Sequence, residues 1–120
     1  MAASHNTATG RHGEQLVAEW YQQGDWEVIE RNWRCRHGEV DLIVRRHDVL
    51  VFCEVKTRTS QRFGSGAEAV TWRKQQTLRS LAAAYLAQRE SGAFLEVRFD
   101  VAVVTPCPGR WLVEVIAAAF

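Results

Sequence analysis

Asp41 and Glu54 lie on two neighbouring apolar segments, 38–44 and 49–55, with Lys56 directly after the second and His47-Asp48 in the link between them. So short a link allows only an antiparallel hairpin. Side chains alternate along a strand, so Glu39, Asp41 and Ile43 are expected on one face, and Phe52, Glu54 and Lys56 on one face of the partner. A two-residue turn then puts Asp41 opposite Glu54 and Glu39 opposite Lys56. Directly opposed β-carbons sit about 5 Å apart, and like charges so placed destabilise a sheet. Two arrangements compensate. A divalent cation can lie between the carboxylates, as Mg²⁺ does when it takes one or two carboxylates and leaves its other positions to water and phosphate oxygens. Alternatively Lys56, or Arg58 beyond it, neutralises the pair without a metal.

The elements that position these residues follow from pattern. Residues 1–9 are small and polar and read as a frayed N-terminus, leaving 10–120 as one domain. From Gly13 to about Gln23, Leu16, Val17, Trp20 and Tyr21 fall at helical spacing, and Gly24 ends the helix. Strands are expected over 26–34, 38–44 and 49–55. A polar, glycine-containing loop spans 57–66. A long helix runs from about Thr71 to Arg89, with Leu78, Leu81, Ala82, Tyr85 and Leu86 as its apolar stripe. A strand from Leu95 to Thr105 is stopped by Pro106 and Pro108, and a last strand covers 111–116. The order α-β-β-β-α-β-β predicts an α/β fold, a mixed sheet flanked by helices.

At 120 residues the chain holds one domain and a modest core. Its 47% apolar and 24% charged content is that of a globular protein and argues against disorder. No apolar run approaches the roughly 18 residues of a membrane span, and the N-terminus lacks the pattern of a signal peptide. Cys35, Cys53 and Cys107 are odd in number and show no CxxC spacing, so the chain reads as cytoplasmic with reduced thiols. The net charge of +1 is uninformative, but its distribution is not: residues 56–79 carry six bases against Glu68 alone. That is the footprint of a phosphate-binding face, or else an ordinary solvated one.

The run Gly38-Glu39-Val40-Asp41-Leu42-Ile43, followed by Val51-Phe52-Cys53-Glu54-Val55-Lys56-Thr57-Arg58, resembles the PD-(D/E)xK nuclease superfamily. More narrowly it resembles the bacterial YraN-like group of small proteins, similar to archaeal Holliday-junction resolvases. The likeness extends from about Gly10 to Val104 and includes Gly10-Arg11-His12-Gly13-Glu14, Asn32, Arg34, Lys74 and Arg98-Phe99-Asp100. Val40 stands where the superfamily's name has proline. The resemblance implies a restriction-endonuclease-like fold and metal-dependent hydrolysis of a nucleic-acid phosphodiester. By the same resemblance Asp41 and Glu54 are the ligands of Mg²⁺ or Mn²⁺, and Lys56 orients or deprotonates the attacking water. Glu14 matches the superfamily's helical glutamate and completes the site.

Other residues have two readings each. Glu14 is also an ordinary first-turn acid, favoured by the helix dipole. Glu39 is a partner of Lys56 or a solvated residue. Lys74, near a helix N-terminus where a cation is disfavoured, reads as a phosphate or site contact, with Gln75 or Gln76 beside it. Arg98 and Asp100 read as a local ion pair. Arg31, Arg34 and Arg36 around Trp33 form either a nucleic-acid grip or a strand with its tryptophan buried. Arg58 and Arg62 place a second grip on the loop 57–66, and Cys53, on the strand face opposite Glu54, reads as core. His5, His12, His37 and His47 lack metal-ligand spacing. The expectation is a Mg²⁺- or Mn²⁺-dependent endonuclease acting on DNA, branched or single-stranded, with a homodimer for symmetric cutting. The alternative is a nucleic-acid-binding module that keeps the fold without the activity.

Overall fold

The computed structural model describes residues 8–58, 70–89 and 96–120. Helix α1 (Ala8–Gln23) leads into strands β1 (Glu27–Cys35), β2 (Gly38–Arg46) and β3 (Val49–Thr57). Helix α2 (Trp72–Ala87), β4 (Glu96–Cys107) and β5 (Arg110–Ile116) complete the chain. The expected order and the α/β class are therefore observed, and the architecture is compatible with a restriction-endonuclease-like fold. Helix α1 starts at Ala8, so two residues of the segment expected to fray are helical.

The five strands lie in sequence order in one sheet. β1–β2, β2–β3 and β4–β5 pair antiparallel, while β3 and β4, joined through α2, pair parallel. The helices cover opposite faces. Val17, Ala18 and Tyr21 of α1 pack on Leu42, Val44, Val51, Cys53 and Val55. Leu78, Leu81, Ala82 and Tyr85 of α2 pack on Ile43, Leu50 and Phe52. Cys53 is thus core, as expected. Trp20, expected on the buried stripe of α1, is 42% exposed, because Ala18 rather than Trp20 continues the stripe from Val17 to Tyr21.

Two ends differ from expectation for identifiable reasons. Helix α2 stops at Ala87, two residues short of Arg89, while Thr71 caps its start by accepting from the Lys74 amide at 3.1 Å. Strand β4 continues through Pro106 to Cys107. Its pairing with β3 ends at Val104, so Pro106 has a strand neighbour on one side only, where a missing N–H is tolerated.

The hairpin β2–β3 has the expected two-residue turn, with His47 at φ 53°, and the expected register from Arg46–Val49 to Leu42–Cys53. Pairing stops there. At the next step the Asp41 carboxylate accepts from the Val55 amide at 2.8 Å. Across β1–β2, Arg31 pairs Leu42 and Trp33 pairs Val40, but Asn32 and Asp41 between them are not ladder partners, and Asn32 has φ 48°. The alternation of β2 slips at this point: Val40 and Ile43 both face α2, whereas Leu42 faces α1. Glu39, Asp41 and Ile43 therefore cannot share one face, which corrects the expectation of strict alternation.

Asp100 is fully buried and accepts from Arg98 Nε and Nη2 at 2.9 and 3.0 Å, Tyr21 Oη at 2.7 Å and the Ala118 amide at 3.0 Å. The Arg98–Asp100 ion pair is as expected, but it also ties α1 and the C-terminus to β4. Phe120 stacks on Phe99 at 5.2 Å, and Arg79 lies over both rings. The apolar C-terminus thus covers the chain's own core. No helix among the described residues is long and apolar enough to cross a membrane.

Candidate functional site

The predicted residues gather at one end of the sheet, where β3 finishes and β2 begins. Glu54 points to the α2 side with its side chain only 4% exposed. Lys56, two residues along the same face, brings its Nζ to 3.5 Å from Glu54 Oε2. Lys74 of α2 reaches the same oxygen, also at 3.5 Å. The two lysine side chains are 37% and 33% exposed, so both amines lie between the buried carboxylate and solvent. Lys74, expected as a phosphate or site contact, is thus an ion-pair partner of Glu54. A lysine in the first turn of a helix opposes the dipole, and the Glu54 charge offsets that cost.

Glu54 Oε1 is buried and has no hydrogen-bond partner among the described residues. An unsatisfied buried acceptor costs about 1–3 kcal/mol and calls for an explanation. Asp41, fully buried, is fixed one step away by the Val55 amide, between Glu54 and Lys56 in the chain. Among the described residues no group of three or more His, Cys, Asp or Glu could hold a metal ion by itself. The unpartnered Glu54 Oε1 suits a hard cation of the Mg²⁺ kind, which takes few carboxylates and leaves positions to water and phosphate. Asp41 and Glu54 would hold it.

Glu14 comes to this end of the sheet from the α1 side. It is buried, and its Oε1 accepts from Asn32 Nδ2 at 3.1 Å. The helix approaches closely because residue 13 is glycine: a β-carbon there would overlap Thr57 Oγ1, at the end of β3. Glu14 and Lys74 therefore flank the sheet from opposite faces.

Residues 13–104 match the family described as "Uncharacterised protein family UPF0102". The chain belongs to this family. A UPF0102 protein of Frankia casuarinae is 49% identical over 114 residues, covering 94% of this chain and 96% of that protein. A UPF0102 protein of Frankia alni is 47% identical over 121 residues and covers both chains in full. A third, from Nocardia farcinica, is 45% identical over 114 residues, covering 94% of this chain and 89% of its own length.

In this UPF0102 chain the remaining expected residues divide. Arg34 is exposed and stands opposite Glu39, with its Nε 3.4 Å from Glu39 Oε2. Glu39 is itself 8% exposed, so it is not a solvated residue. Trp33 packs edge-on against Tyr85 at 5.2 Å, the buried-tryptophan reading rather than a stacking surface. The Arg58 amide donates to Val104 O at 2.8 Å, which extends the β3–β4 edge. Arg62, Glu68 and His5 lie outside the described residues. The described bases of the segment 56–79 have different partners. Lys56 and Lys74 serve Glu54, whereas Arg79 stacks on Phe99 and Phe120. Pattern reading assigned no role to Asn32. The available signal was its residue type, since asparagine tolerates the left-handed conformation better than most residues.

Proposed function

We propose that the protein is a divalent-metal-dependent endonuclease that hydrolyses phosphodiester bonds of DNA. The observation that carries this reading is the buried Glu54 carboxylate, next in the chain to the Val55 amide that holds Asp41, met by two lysine amines and left with one oxygen lacking a donor among the described residues. Asp41 and Glu54 hold Mg²⁺ or Mn²⁺. The ion, when bound, stabilises charge developing on the phosphate and makes water more acidic.

The chain's own residues supply the rest. Lys56 orients the attacking water and, with Lys74, offsets the negative charge of the phosphate. The Val55 amide holds Asp41 in place, so the carboxylate needs no reorganisation when substrate arrives. Glu14, kept at the same end of the sheet by Asn32, completes the site from the other face. Arg34, Arg58 and Arg62 are the candidate backbone contacts. One chain has one such site, so symmetric cutting of two strands calls for a two-fold dimer. The three cysteines are free thiols, consistent with a cytoplasmic protein.

One observation favours a second reading. Two lysines on one Glu54 oxygen already neutralise its charge, so the cluster is electrostatically tenable without a metal. A nucleic-acid-binding module with this fold would look the same. The test is a cleavage assay on labelled four-way junctions, flaps, single strands and duplexes with Mg²⁺, Mn²⁺ or EDTA. Metal-dependent cutting that is lost in Glu54→Ala and Lys56→Ala supports the nuclease. Salt-sensitive binding without cutting supports the module.

A further inference from the structure

On the α1 side of the site lies a cleft of about 200 Å³, lined by Arg11, Glu14, Gln15, Arg31, Asn32 and Leu42. Of these, only Glu14 and the Asn32 that holds it have a part in the chemistry above. We infer that this cleft binds the nucleotide adjacent to the scissile phosphodiester; the inference rests on the nuclease reading and assigns that site a substrate pocket.

Four features support it. The first is charge. The lining carries two guanidiniums against one carboxylate, and that carboxylate accepts from the Asn32 amide. The cleft is net positive and suits a monoanionic phosphodiester unit. The second is preparation. Arg31 Nη1 donates to Gln15 Oε1 at 2.9 Å, so the guanidinium is held across the cleft from helix to strand. A guanidinium has five donors, and ordering it beforehand lowers the cost of binding.

The third is size. Sites for whole drug-sized ligands occupy roughly 300–1,000 Å³, so this smaller cleft takes one unit of a longer chain. The Gln15 amide is engaged at both ends, its Nε2 donating to Glu19 Oε2 at 2.9 Å and its Oε1 accepting from Arg31, while Asn32 Nδ2 donates to Glu14; Asn32 Oδ1 is the acceptor that remains for a base edge, and Leu42 adds an apolar floor. The fourth is position. Asn32 occupies the step on β1 that faces Asp41 on β2, where the ladder is interrupted. Glu14, which the nuclease reading places in the site, also lines the cleft, so a strand whose phosphate reaches Asp41 and Glu14 has this cleft beside it.

The test uses the intact chain in EDTA, with a deoxynucleoside monophosphate and, separately, inorganic phosphate, followed by ¹⁵N amide shifts. The mononucleotide should bind saturably and perturb Gln15, Arg31 and Asn32. Arg31→Ala should weaken it at least roughly tenfold, as expected for a hydrogen bond to a charged group, with Arg31→Lys restoring part of the loss. Shifts confined to other residues, equal affinity for inorganic phosphate, or no effect of Arg31→Ala would each overturn the inference. The two readings fail separately. Mononucleotide binding at these residues without any cleavage would leave the pocket and remove the nuclease. Cleavage with an unchanged KM in Arg31→Ala would do the reverse.

Discussion

The Asp41 carboxylate accepts a hydrogen bond from the Val55 amide at 2.8 Å, in the place where β2 and β3 cease to pair. The side chain substitutes for a ladder bond, and it fixes the candidate ligand to the backbone between Glu54 and Lys56. Structural and chemical roles are thus combined in one residue, and two variants separate them. Asp41→Asn retains an acceptor and should cost less than about 1 kcal/mol, while cleavage falls at least roughly 100-fold. Asp41→Ala leaves the Val55 N–H without this acceptor and should cost about 1–3 kcal/mol in urea denaturation. Equal activity in wild type and Asp41→Asn would make the residue purely structural.

Lys56 and Lys74 share one oxygen of Glu54, so their effects should not add. Both amines are partly exposed, and each single alanine variant should cost no more than about 1 kcal/mol. The double variant removes both ion-pair partners of a buried carboxylate and should cost more than the two singles together. Cleavage should fall roughly 10²–10⁴-fold in Lys56→Ala, the range for a positioned proton-transfer group, and less in Lys74→Ala. A urea double-mutant cycle and single-turnover rates measure both.

Gly13→Ala would ordinarily stabilise a helix by about 1 kcal/mol. Here the added β-carbon would meet Thr57 Oγ1, Cβ and Cγ2. The expected outcome is a net loss of roughly 1–3 kcal/mol, with α1 displaced and cleavage reduced. Thr57→Ala should recover part of the stability in the Gly13→Ala background. Thermal denaturation of the two single variants and the double variant checks this.

Stability should fall in alkali. Burial pushes the Cys53 thiol well above its ordinary value of 9.0 and raises the Tyr21 hydroxyl far above 10.0, with the nearby Asp100 charge adding to the Tyr21 effect. Both groups keep their protons in the folded chain at pH values where the unfolded chain releases them. The stabilisation is whole below pH 9 and declines above it, first through Cys53 and then through Tyr21. Each group contributes a slope of about 1.4 kcal/mol per pH unit. Tyr21→Phe should flatten the decline above pH 10, at the cost of the 2.7 Å bond to Asp100. A series of urea melts from pH 8 to 11 would show it; a Tyr21→Phe curve parallel to wild type would contradict it.

Local pattern made the element order and the hairpin legible. His47-Asp48 marked the turn, and its two-residue length set the register as far as Leu42–Cys53. That Glu54 and Lys56 share a face was readable from strand alternation, and Lys74 stood out as a charge opposed to its helix dipole, but their convergence on one oxygen of Glu54 was not readable, Glu39 having been expected opposite Lys56. Nor was the slip at Asp41. It coincides with the left-handed backbone of Asn32, which belongs to a different strand. The stacking of Arg79 on Phe99 and Phe120 was not readable either, because those rings are distant from it in the chain. For the same reason Asp100 was read as a partner of Arg98 alone, when Tyr21 and Ala118 also bond to it. Pro106 misplaced the end of β4 because the reach of β3 is a tertiary fact.

The most direct measurement is a Mn²⁺ titration followed by electron paramagnetic resonance, run on wild type and Glu54→Gln, with junction cleavage assayed in the same samples. The proposal predicts that wild type takes up one Mn²⁺ per chain and cleaves, and that Glu54→Gln loses uptake and cleavage together. Equal Mn²⁺ uptake by Glu54→Gln, or cleavage that persists in it, would contradict the assignment of Glu54 as the metal-holding centre.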